Sequence, residues 1–252
     1  MEAWKNELTI EEKTKILKKV IQICHANLFS NDDDRVLKYL GSRGIKNTTA
    51  RLFELGAFPS NPSALLKFVS KNELYKCGIL SLDKEAKRTV CKFSTHEMII
   101  PIYDVYGDPI ALMGRCLVYG QKQIDAGIPK YINTFYKKGK SLFGLNQNKD
   151  SIRLKSKAFV VEGNFDVITA YQNGMRNVVA SCGTFLTKTQ LSLLARYTKD
   201  IRLLFDNDDS GREASSKILK KYTYDTVGIK KAKLPLDVKD LDEFFVKRNV
   251  GR

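Results

Sequence analysis

Between Ala158 and Lys220 the apolar positions form short continuous runs separated by stretches of helical spacing. Ala158 to Val161 is a run rich in β-branched residues, as in a buried parallel strand, and Glu162 is the first polar residue after it. Phe165 to Asn173 has helical spacing and ends at Gly174, a C′ glycine. Asn177 to Ser181 reads as a second strand. Thr187 to Tyr197 reads as a helix burying Leu191, Leu193, Leu194 and Tyr197. A third strand, Ile201 to Phe205, delivers Asp206 and Asp208, and the helix Arg212 to Lys220 leaves from Gly211. Alternating units of this length predict a parallel sheet with right-handed crossovers.

The first half follows a different pattern. Thr9 and Glu12 form a capping box ahead of an apolar stripe at Ile16, Leu17, Val20, Ile21, Cys24 and Leu28. Asp32 to Asp34 can start a helix through Leu40 that ends near Gly41 or Gly44, and Ser70 with Glu73 makes another capping box. After Glu97, IIPIYDV and IALMGRCLV alternate as paired strands joined near Gly107-Asp108, a tight-turn dipeptide. The expected architecture is mixed α/β. Residues 1–140 are a basic α+β subdomain packed on a parallel-sheet α/β subdomain at 141–252, and with no repeat or low-complexity linker between them the two are expected to form one rigid body.

The polar residues that close the strands carry the chemistry. Ligands of such sheets lie outside the carboxyl ends of the strands. Asp206 and Asp208 alternate to the same side, and Glu162 and Asp166 stand four apart at the opening of a helix. If the first and third strands are neighbours, four carboxylates converge on one magnesium sphere, whose ligand distance is about 2.1 Å. Helix capping accounts for Asp166 or Asp209 alone as readily as ligation does. It accounts poorly for Glu162, Asp206 and Asp208 together, each at the mouth of a strand.

Charge narrows the partner. The chain has 252 residues, 43% of them hydrophobic, and a formal net charge of +15. Nine basic residues (Lys122, Lys130, Lys137, Lys138, Lys140, Lys149, Arg153, Lys155 and Lys157) face only Asp125 and Asp150 in the stretch that leads into the first acidic strand. A solvated lysine-rich surface is the bland explanation, but positive charge placed beside an acidic cluster suits phosphate handling. No apolar run approaches the ~20 residues needed to span a bilayer. Glu11 and Glu12 argue against a targeting presequence, and five cysteines without a C-x-x-C suit a reducing compartment, so the expected location is the cytoplasm. The isolated Cys24-His25 pair gives no reason to expect zinc.

The segments VEGNFDVITAYQNGMRNVVASCGTFLT and LLFDNDDSGREA resemble the Toprim domain of bacterial, DnaG-like primases. Upstream, RVLKYLGSRGI, FELGAFP, LYKCGIL, MIIPIYDVYGDPIALMGRCL, PKYINT and KKGKSLFGL fall in the order of a primase RNA-polymerase domain, and LPLDVKDLDEFF resembles the acidic segment that closes it. The resemblance covers roughly residues 20–246. It implies synthesis of short RNA primers from ribonucleoside triphosphates on single-stranded DNA by two-metal nucleotidyl transfer. Magnesium, or manganese in its place, would be held by Glu162, Asp206 and Asp208, with Asp166, Asp240 and Asp242 helping directly or through water. Lys130, Lys138 and Lys140 match basic positions of the family's motifs and would meet nucleotide phosphates or the template backbone, and Arg115 resembles a template contact. Arg212 stays open between a phosphate contact and a helix-start salt bridge with Glu213 or Asp209. Tyr103, Tyr106, Tyr131 and Tyr136 can stack on bases or simply pack.

The chain also departs from the family pattern. Asn207 stands where a glycine is usual, and Asp209 adds a charge. The sequence shows neither the zinc ribbon that usually opens such primases nor room for the helical bundle and helicase-binding domain that usually follow. The expected partners are therefore a replicative helicase or a zinc-containing priming partner on another chain. Met1 reads as a start, which suits a phage or mobile-element primase. Two other functions use the same features: a Toprim-type nuclease or topoisomerase, and a non-catalytic single-stranded DNA-binding accessory module.

Overall fold

The computed structural model describes residues 8–30, 34–83, 87–183, 185–222 and 227–250. The chain divides into two compact units, one comprising residues 1–102 and 108–136, the other residues 103–107 and 137–252.

In the first unit, helices α1 (Ile10–Leu28), α2 (Arg35–Ser42) and α3 (Asn47–Leu52) lead to strand β1 (Gly56–Ala57). The short helices α4 (Ser63–Leu66) and α5 (Lys71–Lys76) follow, then a hairpin of β2 (Leu80–Asp83) and β3 (Arg88–Cys91). A 3-10 turn at Lys92–Thr95 precedes β4 (Met98–Tyr103) and β5 (Pro109–Arg115), after which come α6 (Gln121–Asp125) and β6 (Tyr131–Asn133). The main sheet has the order β1-β4-β5-β6. The two expected capping boxes, Thr9 with Glu12 and Ser70 with Glu73, both form, and the six stripe residues of α1 are all buried. Of the expected Asp32–Asp34 helix start, Asp32 and Asp33 lie outside the described residues, and α2 begins at Arg35 with no side-chain cap from Asp34. Strand β4 is buried at Met98 through Ile102 without alternation. The cause is cover on both faces of the sheet: α1 packs along β1 and β5, while Phe93 presses on β5 so closely that a Cβ at Gly114 would lie 2.5 Å from its ring.

In the second unit, a 3-10 turn at Lys138–Lys140 leads into α7 (Leu145–Lys155) and then β7 (Ala158–Val161), α8 (Asn164–Gln172), β8 (Val178–Ala180), α9 (Lys188–Leu194), β9 (Asp200–Leu203) and α10 (Asp209–Lys221). Strand β10 (Gly228–Lys231) and helix α11 (Leu241–Val250) complete it. The sheet order is β10-β9-β7-β8 and all its pairings are parallel. The three expected strands and helices are present with ends displaced by up to three residues: β7 keeps its expected span, α9 stops early at Leu194, and α10 starts early at Asp209. Val160, Val179, Ile201 and Leu203 are fully buried, the pattern of strands covered on both faces. Thr187 caps α9 and Gly174 takes a left-handed turn with φ of +82° after α8. The 103–107 turn belongs to this unit because Val105 packs against its core and the Lys149 ammonium donates to the Val105 carbonyl at 2.9 Å. None of the described helices is long and apolar enough to cross a membrane.

Leu203 sits at the centre of the parallel sheet with no exposed surface, whereas Leu236 is 98% exposed. Leu203→Ala should therefore cost about 2–5 kcal/mol in urea denaturation, and Leu236→Ala less than ~0.5 kcal/mol.

Candidate functional site

Strands β7 and β9 are adjacent and parallel, with Val160 opposite Leu203, so the residues just past their carboxyl ends arrive side by side. The Asp206 N–H points at Glu162 Oε1 at 3.4 Å. Burial raises the Glu162 carboxyl above its ordinary range and the nearby Asp208 adds to the effect. Asp206 is pushed up to about 7, first by burial and then by Glu162 and Asp240. Lys239 opposes both shifts, yet burial with the charge of the neighbouring acids prevails. Asp208 is exposed at the N-cap of α10, where its Oδ1 accepts from the Gly211 N–H at 2.9 Å. A Cβ on Gly211 would lie 2.4 Å from the Asp206 carbonyl oxygen and 3.0 Å from Glu162 Oε1. Only glycine lets α10 start this close to the acidic turn.

Asp166 and Asp242 turn inward. Asp166 is 6% exposed, its Oδ2 accepts from Gly163 N–H at 3.1 Å and its Oδ1 from Asp242 N–H at 2.9 Å. The Asp242 carboxylate accepts from the Thr169 hydroxyl. Together they join α8 to α11, and for Asp166 these contacts are those of a cap. Burial, followed by the charge of Asp240, pushes Asp166 up to about 8. Asp240 is half-buried and accepts from Glu243 N–H at 2.8 Å.

No three acidic, imidazole or thiol groups among the described residues stand in a ready metal-binding cluster. The chemistry of the donors nevertheless suits one kind of ion. Glu162, Asp206, Asp208 and Asp240 offer only carboxylate oxygens, which favour hard dications, and their crowding in a half-buried site is a cost that such a cation relieves.

Lys138 and Lys140 lie exposed on the 3-10 turn. That turn is held by Gln190, a residue the sequence reading passed over. The Gln190 side chain is 1% exposed, and its amide donates to the carbonyls of Lys138 at 3.1 Å, Ser141 at 2.8 Å and Ser181 at 3.4 Å. The Thr187 hydroxyl adds a bond to the Gly139 carbonyl at 2.5 Å. The Thr-x-x-Gln capping pattern was visible in the sequence; its second use, as an anchor for a segment about fifty residues upstream, was not. Other members of the basic run serve local structure: Arg153 pairs with Asp150 at 3.8 Å and Lys157 with Asp200 at 4.0 Å.

Arg212 makes the helix-start salt bridge, with Nη2 2.7 Å from Asp209 Oδ1, and its Nη1 donates to the Asn207 carbonyl at 2.5 Å. In the first unit, Arg115 is 6% exposed, lies 5.2 Å from the ring centre of Tyr39 and 4.9 Å from that of Tyr131, and donates to the Tyr131 hydroxyl. Lys130 is exposed beside the Tyr131 ring. Tyr106 is 81% exposed, while Tyr103, Tyr131 and Tyr136 are half-buried.

A parallel sheet with paired acids past neighbouring strands defines a Toprim-like unit, and the Toprim-like family profile matches residues 159–245. The profile described as DNA primase catalytic core, N-terminal domain, matches residues 23–149, half of the chain. The chain belongs to the family of bacterial DnaG-type DNA primases. It is 36% identical to the DNA primase of Aquifex aeolicus over 82% of its own length and 41% of that relative's. It resembles the crystal structure of the zinc-binding and RNA polymerase domains of the Aquifex aeolicus primase with a TM-score of 0.80 and 33% identity, covering 96% of this chain and 60% of that one. A DnaG primase catalytic domain bound to single-stranded DNA gives a TM-score of 0.79 at 25% identity, covering 94% and 77%. The chain thus spans about two fifths of the length of its curated Aquifex relative.

The raised carboxyls make stability depend on pH. Asp206 and Asp166 keep a proton in the folded state that an unfolded aspartate releases near its ordinary value of 3.8. Stability in chelator-treated buffer should therefore fall as pH rises from about 4 to about 8. Melting curves across that range should show the fall, and Asp206→Asn or millimolar magnesium should reduce it toward the share that Asp166 contributes.

Proposed function

We propose that this chain is the catalytic core of a primase, joining ribonucleoside triphosphates into short RNA primers on single-stranded DNA. The observation that carries this reading is the adjacency of Glu162 and Asp206 at the ends of paired parallel strands, with Asp208 and Asp240 close enough to add to their repulsion. Family membership supports the reaction class, and the single-stranded DNA bound by the related catalytic domain supports the template.

Glu162, Asp206 and Asp208 would hold two magnesium ions, or manganese in their place, with Asp240 assisting. Cations held there would supply charge that lowers the pKa of a ribonucleotide 3′-hydroxyl and offsets that of the triphosphate. Asp166 and Asp242 act behind these ligands by joining α8 to α11. Lys138 and Lys140, on a turn fixed by Gln190, meet nucleotide phosphates or the template backbone. Lys130 and Arg115 serve the template from the first unit, Arg115 through an orientation set by Tyr39 and Tyr131. Arg212 shapes the Asp206–Asp209 turn through its two bonds, leaving phosphate binding to the lysines. The core works in the cytoplasm with a replicative helicase or a zinc-bearing priming partner on another chain.

Incubation with single-stranded DNA, ribonucleotides and magnesium separates the alternatives. Short labelled RNA is the expected product; shortened DNA would instead indicate a nuclease, and neither product an accessory module. Glu162→Gln and Asp208→Asn should each remove dinucleotide synthesis while circular dichroism and DNA binding stay as in the wild type, and retained synthesis in either would refute the assignment of the acids.

Lys138→Ala should weaken DNA binding and make its log-log salt dependence shallower by about 0.7, the loss of one contact to single-stranded phosphate. Titrations at several salt concentrations measure that slope, and an unchanged value would remove Lys138 from the interface.

A further inference from the structure

Asn207 lies between two of the acids, and the three hydrogen bonds it donates all lead to the segment just before Asp240. Its backbone N–H donates to the Lys239 carbonyl at 2.7 Å. Its side-chain amide donates to the carbonyls of Pro235 and Val238, each at 2.8 Å. Its own carbonyl accepts from Arg212, which is in turn paired with Asp209. The Pro235–Lys239 segment has no regular secondary structure, and within it Leu236 is 98% exposed. The next residue is Asp240. Its carboxylate accepts from Glu243 N–H at 2.8 Å, and Glu243 Oε2 accepts from Lys239 N–H at 2.6 Å, so the far side of the segment is fixed by the start of α11. The near side is fixed by Asn207. Asp240 sits close enough to Asp206 for its charge to help raise the Asp206 carboxyl.

An irregular segment carrying a carboxylate toward other carboxylates is pushed away by them, because like charges in a half-buried site repel. A tether whose donors bond only to carbonyl oxygens opposes that push without adding charge. Glycine at this position would supply the backbone N–H alone, whereas asparagine adds two further bonds.

We propose that Asn207 is a positioning residue, whose side-chain amide holds the Pro235–Lys239 segment against the Asp206–Asp208 turn and thereby sets Asp240 beside Asp206 for shared binding of a divalent cation. The proposal rests on the reading that Asp240 assists the cation site. Neighbours that orient a ligand typically change metal affinity by about 10–100-fold when removed.

Manganese alone, titrated into the chelator-treated protein and followed by its paramagnetic resonance signal, tests this without any turnover. Asn207→Ala and Asn207→Gly should weaken manganese binding roughly tenfold. Asp240→Asn should weaken it at least as much, and the double variant Asn207→Ala with Asp240→Asn no further than Asp240→Asn alone. Wild-type affinity in Asn207→Ala would overturn the proposal while leaving Asp240 in its role. Fully additive losses in the double variant would overturn it as well, because Asn207 would then act independently of Asp240. Unchanged binding in Asp240→Asn would overturn both the proposal and the role of Asp240 beneath it. If the alanine and glycine variants lose their circular dichroism spectrum, Asn207→Ser decides: its shorter donor should give an affinity below that of the wild type, and equal affinity would refute the proposal.

Discussion

The parallel pairing of β7 with β9 is the constraint on which the candidate site depends. Two strands separated in sequence by a helix, a strand and another helix lie side by side, with Val160 opposite Leu203. Their buried side chains stabilise the sheet, and the same register determines that Glu162 and Asp206 leave it at the same level. If any other strand stood between them, the two carboxylates would be separated by roughly an extra strand spacing of 4.8 Å, and their mutual effect would fade. The apolar core thus offsets the repulsion it creates.

That repulsion explains the arrangement of the surrounding residues. Asp208 caps α10, Asp166 accepts two backbone N–H groups and Asp242 receives a threonine hydroxyl, so several acids are stabilised by local donors. Asp206 and Glu162 are less well provided for, and both are shifted upward by burial and by neighbouring acids. Asp166 and Asp242 thereby join α8 to α11, whereas burial and neighbouring charge weigh on Glu162 and Asp206. Gln190 and Asn207 play a corresponding part on neutral ground: each uses a side-chain amide to fix an irregular segment, one carrying the lysines and the other carrying Asp240.

The sequence alone determined the element types, because hydrophobic period and capping chemistry are local. The capping boxes of α1 and α5, the α1 stripe and the apolar strand runs were all legible in it, as were the acids past the strand ends and the family to which their order belongs. Less legible was anything requiring two distant segments to meet. Alternation marked IIPIYDV as a strand, yet Met98 through Ile102 are all buried in a sheet against which α1 and Phe93 pack. Asp166, open in the sequence between ligand and cap, accepts from the Asp242 N–H, seventy-six positions away in sequence. Arg115, which in the sequence resembles a template contact, packs between Tyr39 and Tyr131. Tertiary structure decided these partners, along with those of Asn207, because a side chain's partner depends on which segments the fold brings within about 3 Å, the reach of a hydrogen bond. Periodicity and spacing along the chain carry no record of that.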